Sequence, residues 1–486
     1  MLDLWGDCRA DGTTWSALER SLTMRLFRVS IPASVLLLIL LDAAILLSCY
    51  IVAALFALND SLDPEFYLLY DQGLIRVLIA VGAAQIGMYL ADLYQSIMVR
   101  SHTEMLQKFA MILGGSFLLQ ATLGYGQSSL QLPKWTMVYG SVGVLVLLPL
   151  WRFIYDGIVR NALPRERFLF VLPSALSIEI MREINRRPEL GYHTVGYIDT
   201  GLHPAVPPVV PYFGTLDRIQ ALVREKRPDR IVIGRTDAPE VPPIQDLLEW
   251  RFSGLRIEEA ATAYETIFGR ISIREWTRSN LIFTSHFDPK PASAHLQTIY
   301  SFLLASIGAV VTSPVMVVVA VLVKLSSPGP ILLRQTRVGL RGAHFTLYKF
   351  RSMYTDAEAN TGAVWATEND PRITPVGRWL RQLRLDELPQ FFNVICGEMA
   401  VVGPRPERPE FSLVLEEETP FYRQRQCVKP GITGWAQINH KYGDTTEDAI
   451  IKLEYDLYYI KNLAPALDAY IIFHTLKVML ISRGAQ

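Results

Sequence analysis

LQTIYSFLLASIGAVVTSPVMVVVAVLV, residues 296–323, contains no Asp, Glu, Lys or Arg and decides where the C-terminal part of the chain lies. It is longer than the roughly 20 residues that a helix needs to cross a bilayer. Pro314 has no N–H for the Val310 carbonyl and its ring clashes with that group, so we predict a kinked break at Ser313-Pro314. The freed carbonyl then needs a donor, from Ser313 or from a neighbouring helix. Such a helix either crosses the bilayer with a kink or leaves it again on the same side.

The bulk composition is typical of a membrane protein. Half of the 486 residues are hydrophobic, only 19% are charged, and the mean hydropathy is +0.22. The length predicts about three domains. Because the formal net charge is zero, the chain lacks the basic character of a nucleic-acid binder, and we expect no nucleic-acid partner.

The cysteines and the N-terminus fit a cytoplasmic start. The cysteines lack the spacing of a metal site and favour a reducing compartment over a disulfide framework. They are Cys8, Cys49, Cys396 and Cys427. Met1 is followed by an acidic stretch rather than a basic segment with a cleavage site, so we predict no signal peptide.

Four apolar stretches in the first third of the chain predict a four-helix transmembrane bundle. They are residues 32–58, 74–94, 105–124 and 136–155. Lys and Arg flank the outer ends of this set and the loop between the second and third stretches, whereas the other two loops contain a single lysine. The positive-inside rule therefore places both ends of the bundle in the cytoplasm. Asp42, inside the first stretch, is expected to face another helix.

This topology bears on the uncharged stretch 296–323. Four spans return the chain to the cytoplasm, so a fifth crossing would export everything after Lys324. We therefore favour a re-entrant helix at Ser313-Pro314, with a kinked true span as the alternative.

Between the two membrane parts, short apolar strands alternate with amphipathic helices. The order RFLFVL, IEIMREINRR, HTVGYID, LDRIQALVREK and RIVIG predicts a βαβ pattern with a small parallel sheet. The turn after the first strand, LPSALS at 172–177, contains no glycine. A phosphate-cradling loop is thus missing, and we interpret this Rossmann-like domain as structural or interaction-mediating.

Adjacent acids, Asp386 and Glu387, follow an arginine-rich segment. On a helix Arg378 and Arg381 would share one face. A proline at 389 suits a helix start and favours an extended Leu388, so we place the acids at a helix junction where free N–H groups favour an anion. The alternative is a solvated, charged helix end.

Further motifs follow the uncharged stretch. Residues 331–353 predict a β-hairpin around LRG and a strand, and the C-terminal run ALDAYIIFHTLKVMLI predicts an interfacial or groove-lying helix. Together these segments resemble the bacterial sugar transferase family, the monotopic phosphoglycosyl transferases, from about residue 297 to the C-terminus. The motifs that carry the resemblance are SSPGPILLRQTRVG, LYKFRSM, DPRITPVGRWLR, LDELPQFFNV, VVGPRPERPEF, KPGITGWAQ and YDLYYIKN.

The resemblance implies an activity. Such enzymes transfer a hexose-1-phosphate from a UDP-sugar to undecaprenyl phosphate at the bilayer, releasing UMP. The four spans and the βαβ domain resemble large members of the family that prime exopolysaccharide assembly. Whether the sugar is glucose, galactose or another hexose stays open, as does homodimerisation. The competing hypothesis is a catalytically inactive membrane scaffold of a polysaccharide assembly complex.

The resemblance also implies roles for individual residues. Asp386 corresponds to the nucleophile, which forms a phosphosugar-aspartyl intermediate, and Glu387 helps to hold Mg²⁺. Ser313 and Pro314 correspond to the break of the re-entrant helix. The expected substrate-binding residues are Lys349, Arg351, Arg378, Arg381, Pro404, Arg405 and Pro406. One departure is that Gln297-Thr298 and Ser301 stand where the family usually has a basic pair and an aspartate, which puts the usual membrane-surface anchoring in question.

The predicted fold class is therefore a membrane protein of α plus α/β architecture. A cytoplasmic N-terminal segment (1–31) precedes the four-span bundle (32–160). The Rossmann-like domain without a Gly-rich loop (161–290) follows. Last comes the re-entrant helix with a membrane-associated α/β catalytic domain (291–486). We expect this chain in the bacterial inner membrane, with the catalytic domain on the cytoplasmic face.

Overall fold

The computed structural model describes residues 23–26, 29–58, 63–94, 102–127, 130–161, 165–201, 205–234, 244–274, 291–355, 357, 370–419, 421–440 and 445–480. They belong to two compact units, residues 1–25 with 30–260 and residues 26–29 with 261–486. Each unit has its own buried apolar clusters. Most of the predicted N-terminal segment 1–31 lies outside the described residues.

The described residues between 33 and 161 in the first unit are mainly helical. Its helices are Ala33–Leu58, Pro64–Leu69, Gly73–Leu90, His102–Gly126 and Lys134–Asn161. Strands β1 (Thr23–Leu26) and β2 (Val29–Pro32) precede them and pair with each other. All four predicted spans fall on helices. A buried ion pair of 2.6 Å between Arg152 Nη2 and Asp42 Oδ2 joins the last helix to the first, so Asp42 faces another helix as expected.

Four described helices are long and apolar enough to cross a membrane. They are Val35–Leu58, Gly73–Leu90, Lys134–Ile158 and Pro291–Ser326. Three of them coincide with predicted spans, and the fourth is the uncharged stretch with Pro314. The third predicted span forms the helix His102–Gly126, which is not among the four; its side chains are described only from Met105 to Tyr125.

The first unit ends in the predicted small parallel sheet. Strands β3 (Glu166–Val171), β4 (Tyr192–Ile198), β5 (Arg230–Ile233) and β6 (Arg256–Glu259) lie in the order β4-β3-β5-β6, all parallel. Helices Ala175–Arg186, Ile219–Lys226 and Ile244–Phe252 connect them. The turn after β3 has no glycine of its own, and Leu172 adopts a positive φ of 50°. Gly234 after β5 makes room for it, because a Cβ there would lie 2.3 Å from the Leu172 carbonyl oxygen.

The second unit contains the segments that carry the family motifs. Its helices are Ala260–Phe268, Pro291–Ser326, Pro375–Gln382, Gln390–Ile395, Pro409–Glu418, Trp435–Asn439, Thr446–Lys461 and Pro465–Leu480. Strands β7 (Leu332–Val338) and β8 (His344–Phe350) form the predicted antiparallel hairpin. Strands β9 (Ala400–Val402) and β10 (Gly431–Thr433) pair in parallel.

The uncharged stretch forms one helix, Pro291–Ser326, which is not interrupted at Ser313-Pro314. The secondary structure therefore continues where we predicted a break. The physical reason lies in the hydrogen bonds: Ser313 Oγ donates to the Val310 carbonyl at 2.7 Å and replaces the N–H that proline lacks. The predicted serine donor is thus confirmed. At about 1.5 Å per residue the helix is some 54 Å long, well beyond the roughly 30 Å of hydrocarbon in a bilayer.

The positions at which this chain departs from the family pattern lie in the interior of the second unit. Gln297 Nε2 donates to the Val402 carbonyl (3.1 Å), the Tyr459 hydroxyl (2.6 Å) and Asp468 Oδ2 (3.0 Å). Ser301 Oγ accepts a hydrogen bond of 3.3 Å from the Val401 N–H. Both side chains therefore fasten the long helix to β9. Asp468 lies in the first turn of the helix Pro465–Leu480, which buries Leu467 and Ile471 in the same unit; this segment was predicted to be an interfacial or groove-lying helix, and it is helical.

Candidate active site

Asp386 and Glu387 lie on a single 3₁₀ turn, Leu385–Glu387, between the helices Pro375–Gln382 and Gln390–Ile395. The predicted helix junction is confirmed, and the solvated helix end is not: the two residues are 7% and 9% exposed. The prediction of an extended Leu388 is wrong. Its φ of −53° and ψ of −37° are helical, because its N–H donates to the Leu385 carbonyl and its own carbonyl accepts from the Phe391 N–H.

Three cations surround the Glu387 carboxylate. Lys349 Nζ on β8 lies 3.3 Å from Oε1, and Arg405 Nη2 lies 3.1 Å from the same oxygen. Arg384 Nη1 lies 3.6 Å from Oε2. Burial alone would raise the pKa of Glu387, but Lys349, Arg405 and Arg384 outweigh burial and hold this pKa well below its usual range. Glu387 is therefore ionised at every physiological pH.

The neighbouring Asp386 carboxylate is in a different position. Within the described part of the chain no hydrogen bond or ion pair of its side chain is found. Burial, together with the charge of Glu387, raises its pKa, and Lys349, Arg381 and Arg405 only partly oppose this. Of the two adjacent acids, Glu387 is compensated by direct contact with cations, whereas Asp386 has none among the described residues.

The loop Pro404–Glu407, which carries Arg405, is fixed along its backbone. Each of its four successive carbonyl oxygens accepts a hydrogen bond of 2.8–3.0 Å from another segment. In order, the donors are the Gly431 N–H, Arg425 Nη2, Arg337 Nη1 and the Val338 N–H. These hydrogen bonds therefore fix the main chain that carries the Arg405 guanidinium.

Glycines allow the KPGITG and VVGPRP motifs to approach each other. The Gly403 N–H donates to the Thr433 carbonyl at 2.8 Å. A Cβ on Gly431 would lie 2.1 Å from the Gly403 nitrogen, and one on Gly403 would lie 2.4 Å from the Lys429 carbonyl oxygen. Only residues without a side chain fit at both positions.

The structure brings together some of the predicted phosphate-binding residues and separates others. Lys349 and Arg405 both contact Glu387, and Arg381 contributes charge at Asp386 while its Nε donates to Ser352 Oγ at 3.0 Å. Arg378 is exposed on the same helix. Arg351 is buried and donates to three carbonyls, those of Pro328 (2.7 Å), Val323 (3.2 Å) and Ser327 (2.6 Å).

Sequence reasoning did not assign a role to Arg384, although it lies three residues before Glu387. That spacing on a turn was an available signal. It also missed Arg425 and Asp456, which lie 2.9 Å apart behind the Pro404–Glu407 loop. No local pattern marks this pair, because the two residues come from different motifs.

The described residues contain no cluster of three or more His, Cys, Asp or Glu side chains that could hold a metal ion. The described carboxylates of the dyad that could serve as metal ligands are those of Asp386 and Glu387. Such a set suits a hard cation that takes its remaining ligands from phosphates and water.

Comparison with known proteins agrees with the motifs. The family model described as "Bacterial sugar transferase" matches residues 292–482. A UDP-N-acetylgalactosamine-undecaprenyl-phosphate N-acetylgalactosaminephosphotransferase from Aeromonas hydrophila is 44% identical over 46% of this chain and 52% of its own length. An undecaprenyl-phosphate glucose phosphotransferase from Komagataeibacter xylinus is 37% identical over 56% of this chain and 52% of its own. The chain thus spans about half the length of these two relatives.

A third relative is matched over more of its length. It is a UDP-glucose:undecaprenyl-phosphate glucose-1-phosphate transferase from Klebsiella pneumoniae. It is 32% identical over 71% of this chain and 74% of its own length. This match extends beyond the region that the family model covers.

The contacts of Arg351 predict a structural role. Arg351→Ala should lower the thermal midpoint of the purified protein in detergent, because three carbonyls at the end of the long helix lose a charged donor, a loss of about 3 kcal/mol or more. Arg378→Ala, on the exposed helix face, is the matched control and should change stability by less than about 0.5 kcal/mol. Equal midpoints for the two variants would contradict this assignment.

Proposed function

The chain belongs to the bacterial sugar transferase family, and from this premise we propose that it transfers a hexose-1-phosphate from a UDP-sugar to undecaprenyl phosphate. The products are undecaprenyl-diphospho-sugar and UMP, as in the priming step of exopolysaccharide biosynthesis. The observation that carries the proposal is the buried Asp386–Glu387 turn. There Lys349, Arg384 and Arg405 form ion pairs with Glu387, and none with Asp386 is found among the described residues. An inactive scaffold would have no need of such a costly arrangement.

In the proposed first step, an Asp386 oxygen attacks the phosphorus that bears the sugar. A bond forms between that oxygen and the phosphorus, and the bond from the phosphorus to the bridging oxygen of the diphosphate breaks. UMP leaves with the bonding electrons, and the sugar phosphate is held as an aspartyl phosphate. Asp386 suits this role because no ion pair with its carboxylate is found among the described residues, so its lone pairs remain available.

In the second step, the phosphate oxygen of undecaprenyl phosphate attacks the same phosphorus. The bond to Asp386 breaks, the carboxylate is regenerated and the lipid diphosphate forms. Direct displacement would bring two bulky anions together in one step. A covalent intermediate replaces it with two displacements, both of which involve Asp386.

The cations near the dyad would balance the charge of the phosphates. Arg405 and Lys349 lie on Glu387 Oε1, and Arg381 acts on Asp386 through its charge. Preorganised cations of this kind stabilise the charge that develops on a transferring phosphoryl group. Pro404 and Pro406 limit the conformations of the loop that presents Arg405.

We also propose that Glu387 helps to hold Mg²⁺. The ion is usually held in proteins by one or two carboxylates together with substrate phosphates. Glu387 Oε2 would be the ligand, since Lys349 and Arg405 donate to Oε1, whereas Arg384 Nη1 lies at a longer 3.6 Å from Oε2. When bound, the ion would neutralise diphosphate charge and make UMP a better leaving group.

The position of the active site relative to the membrane follows from the lipid acceptor. Undecaprenyl phosphate presents its phosphate at the bilayer surface, so the Asp386 carboxylate has to lie there as well. We propose that the helix Pro291–Ser326 bends at Ser313-Pro314 without losing its helical structure, so that it enters the membrane and returns to the cytoplasmic face of the inner membrane. Its exposed apolar side chains, such as Val310, Val311 and Val317, support contact with lipid.

Loss of the nucleophile tests the activity. Asp386→Asn should release UMP from UDP-sugar and undecaprenyl phosphate at least about 10³-fold more slowly than the wild type, since the amide cannot attack phosphorus. A panel of UDP-sugars identifies the donor in the same assay. Glu410→Gln, at an exposed position on the helix Pro409–Glu418, is the control and should keep wild-type rates. Near wild-type release by Asp386→Asn would refute the assignment.

Chelation tests the metal. EDTA should abolish UMP release and added Mg²⁺ should restore it, whereas Glu387→Gln should raise the half-saturating Mg²⁺ concentration by about tenfold, since one ionic oxygen ligand is lost. The same titration on Glu410→Gln should match the wild type. An unchanged magnesium requirement in Glu387→Gln would remove Glu387 from the metal site.

Cysteine labelling in intact cells tests the topology. With the native cysteines replaced by serine, Ala343→Cys on the β7–β8 turn should react with an impermeant thiol reagent only after lysis. Tyr125→Cys, 97% exposed after the third predicted span, should react in intact cells because that loop faces outward in the proposed orientation. Labelling of Ala343→Cys from outside would establish a true fifth crossing.

A further inference from the structure

The Arg425 side chain is buried behind the Pro404–Glu407 loop, away from the dyad. It belongs to the 3₁₀ segment Tyr422–Cys427. Its Nη2 donates to the Arg405 carbonyl at 2.8 Å, and its Nη1 donates to the Tyr422 hydroxyl at 2.5 Å. The same Nη2 lies 2.9 Å from Asp456 Oδ2 on the helix Thr446–Lys461. A guanidinium that is only 10% exposed thus pairs with two carboxylates, Asp456 and, 3.9 Å from its Nη1, Glu407, and it donates to one backbone carbonyl of the loop.

That carbonyl belongs to the residue whose side chain reaches the dyad. Arg405 accepts from Arg425 through its main chain and contacts Glu387 Oε1 at 3.1 Å through its guanidinium. Pro404 and Pro406 have fixed φ angles, so the peptide plane after Arg405 is the main remaining freedom of the loop. The hydrogen bond from Arg425 to the Arg405 carbonyl fixes the orientation of that peptide plane.

We propose that Arg425, itself fixed by Asp456 and Tyr422, is a positioning residue for sugar-phosphate transfer. It fixes the Arg405 peptide plane so that the Arg405 guanidinium stays at Glu387 and at the donor phosphates. Arg425 does not touch the reacting atoms. The inference rests on the proposed function and deepens it, because it explains how Arg405 is held in place although it lies on a loop.

The other loop contacts argue for this specific role. The carbonyls of Pro404, Pro406 and Glu407 are held by the Gly431 N–H, Arg337 and the Val338 N–H. Loss of Arg425 therefore leaves these three carbonyls held and releases that of Arg405. It also removes an ion pair of 3.9 Å with the Glu407 carboxylate, which keeps Arg337 Nη1 at the same distance. Since misplacement of a catalytic group by about 1 Å can cost about 10²-fold in rate, the effect should be kinetic.

A double-mutant cycle with Arg405 tests the inference, using full-length protein in detergent and UMP release from the UDP-sugar donor. Arg425→Met should lower kcat by about 10²-fold, with KM for the UDP-sugar changing less than about threefold, if Arg405 acts mainly on charge that develops during transfer. In an Arg405→Ala background, Arg425→Met should cost less than about twofold more, because its effect passes through the missing side chain. Equal losses in both backgrounds would overturn the proposal.

Two further variants keep the test decisive. Arg423→Met removes an exposed arginine two residues away and should leave kcat unchanged. If Arg425→Met does not fold, Tyr422→Phe, which removes one hydroxyl contact, takes its place in the cycle; it should lower kcat in the wild type but not with Arg405→Ala. Additive losses there would likewise reject the role. Wild-type protein that releases no UMP from any UDP-sugar would instead refute the proposed function.

Discussion

The second unit depends on one buried charge, the carboxylate of Glu387. A buried carboxylate is costly unless cations and hydrogen bonds compensate it. The compensating cations come from three segments: Lys349 from β8, Arg384 from the residue before the turn, and Arg405 from the loop after β9. The charge of Glu387 therefore ties these segments to one point. For Asp386, beside it, no such contact is found in the part of the chain that the structure describes, and this difference supports the proposal that Asp386 is the nucleophile.

The rest of the second unit holds these segments in register. The β9–β10 pair brings Gly403 against Gly431, at a separation that a side chain would not permit. The four carbonyls of the Pro404–Glu407 loop are each held by another segment, two of them by arginine side chains. Local cations therefore reach the dyad from a backbone that distant parts of the chain have fixed. Such preorganisation is what electrostatic catalysis of phosphoryl transfer requires.

Sequence reasoning succeeded where the cause is local. The Ser313 hydroxyl on the Val310 carbonyl, the β7–β8 hairpin, the parallel sheet and the junction at Asp386 and Glu387 all follow from neighbouring residues. It failed at Leu388, where the hydrogen bonds of a continuing turn outweigh the steric preference before proline. It also failed at Pro314, where the helix continues because the Ser313 hydroxyl donates to the Val310 carbonyl. The distinct surroundings of Asp386 and Glu387 were out of reach, because they depend on contacts between segments far apart in the chain. The nucleophile assignment came from family resemblance, and the geometry supplies a physical reason for it.

The central claim is that Asp386, and not its neutralised neighbour, takes up the sugar phosphate. Wild-type protein mixed with its UDP-sugar, without lipid acceptor, should be quenched rapidly, digested and sequenced by fragmentation mass spectrometry. We expect a hexose-phosphate adduct on Asp386 that disappears when undecaprenyl phosphate is added before the quench. An adduct on Glu387, or rapid transfer to lipid with no adduct at any quench time, would contradict it.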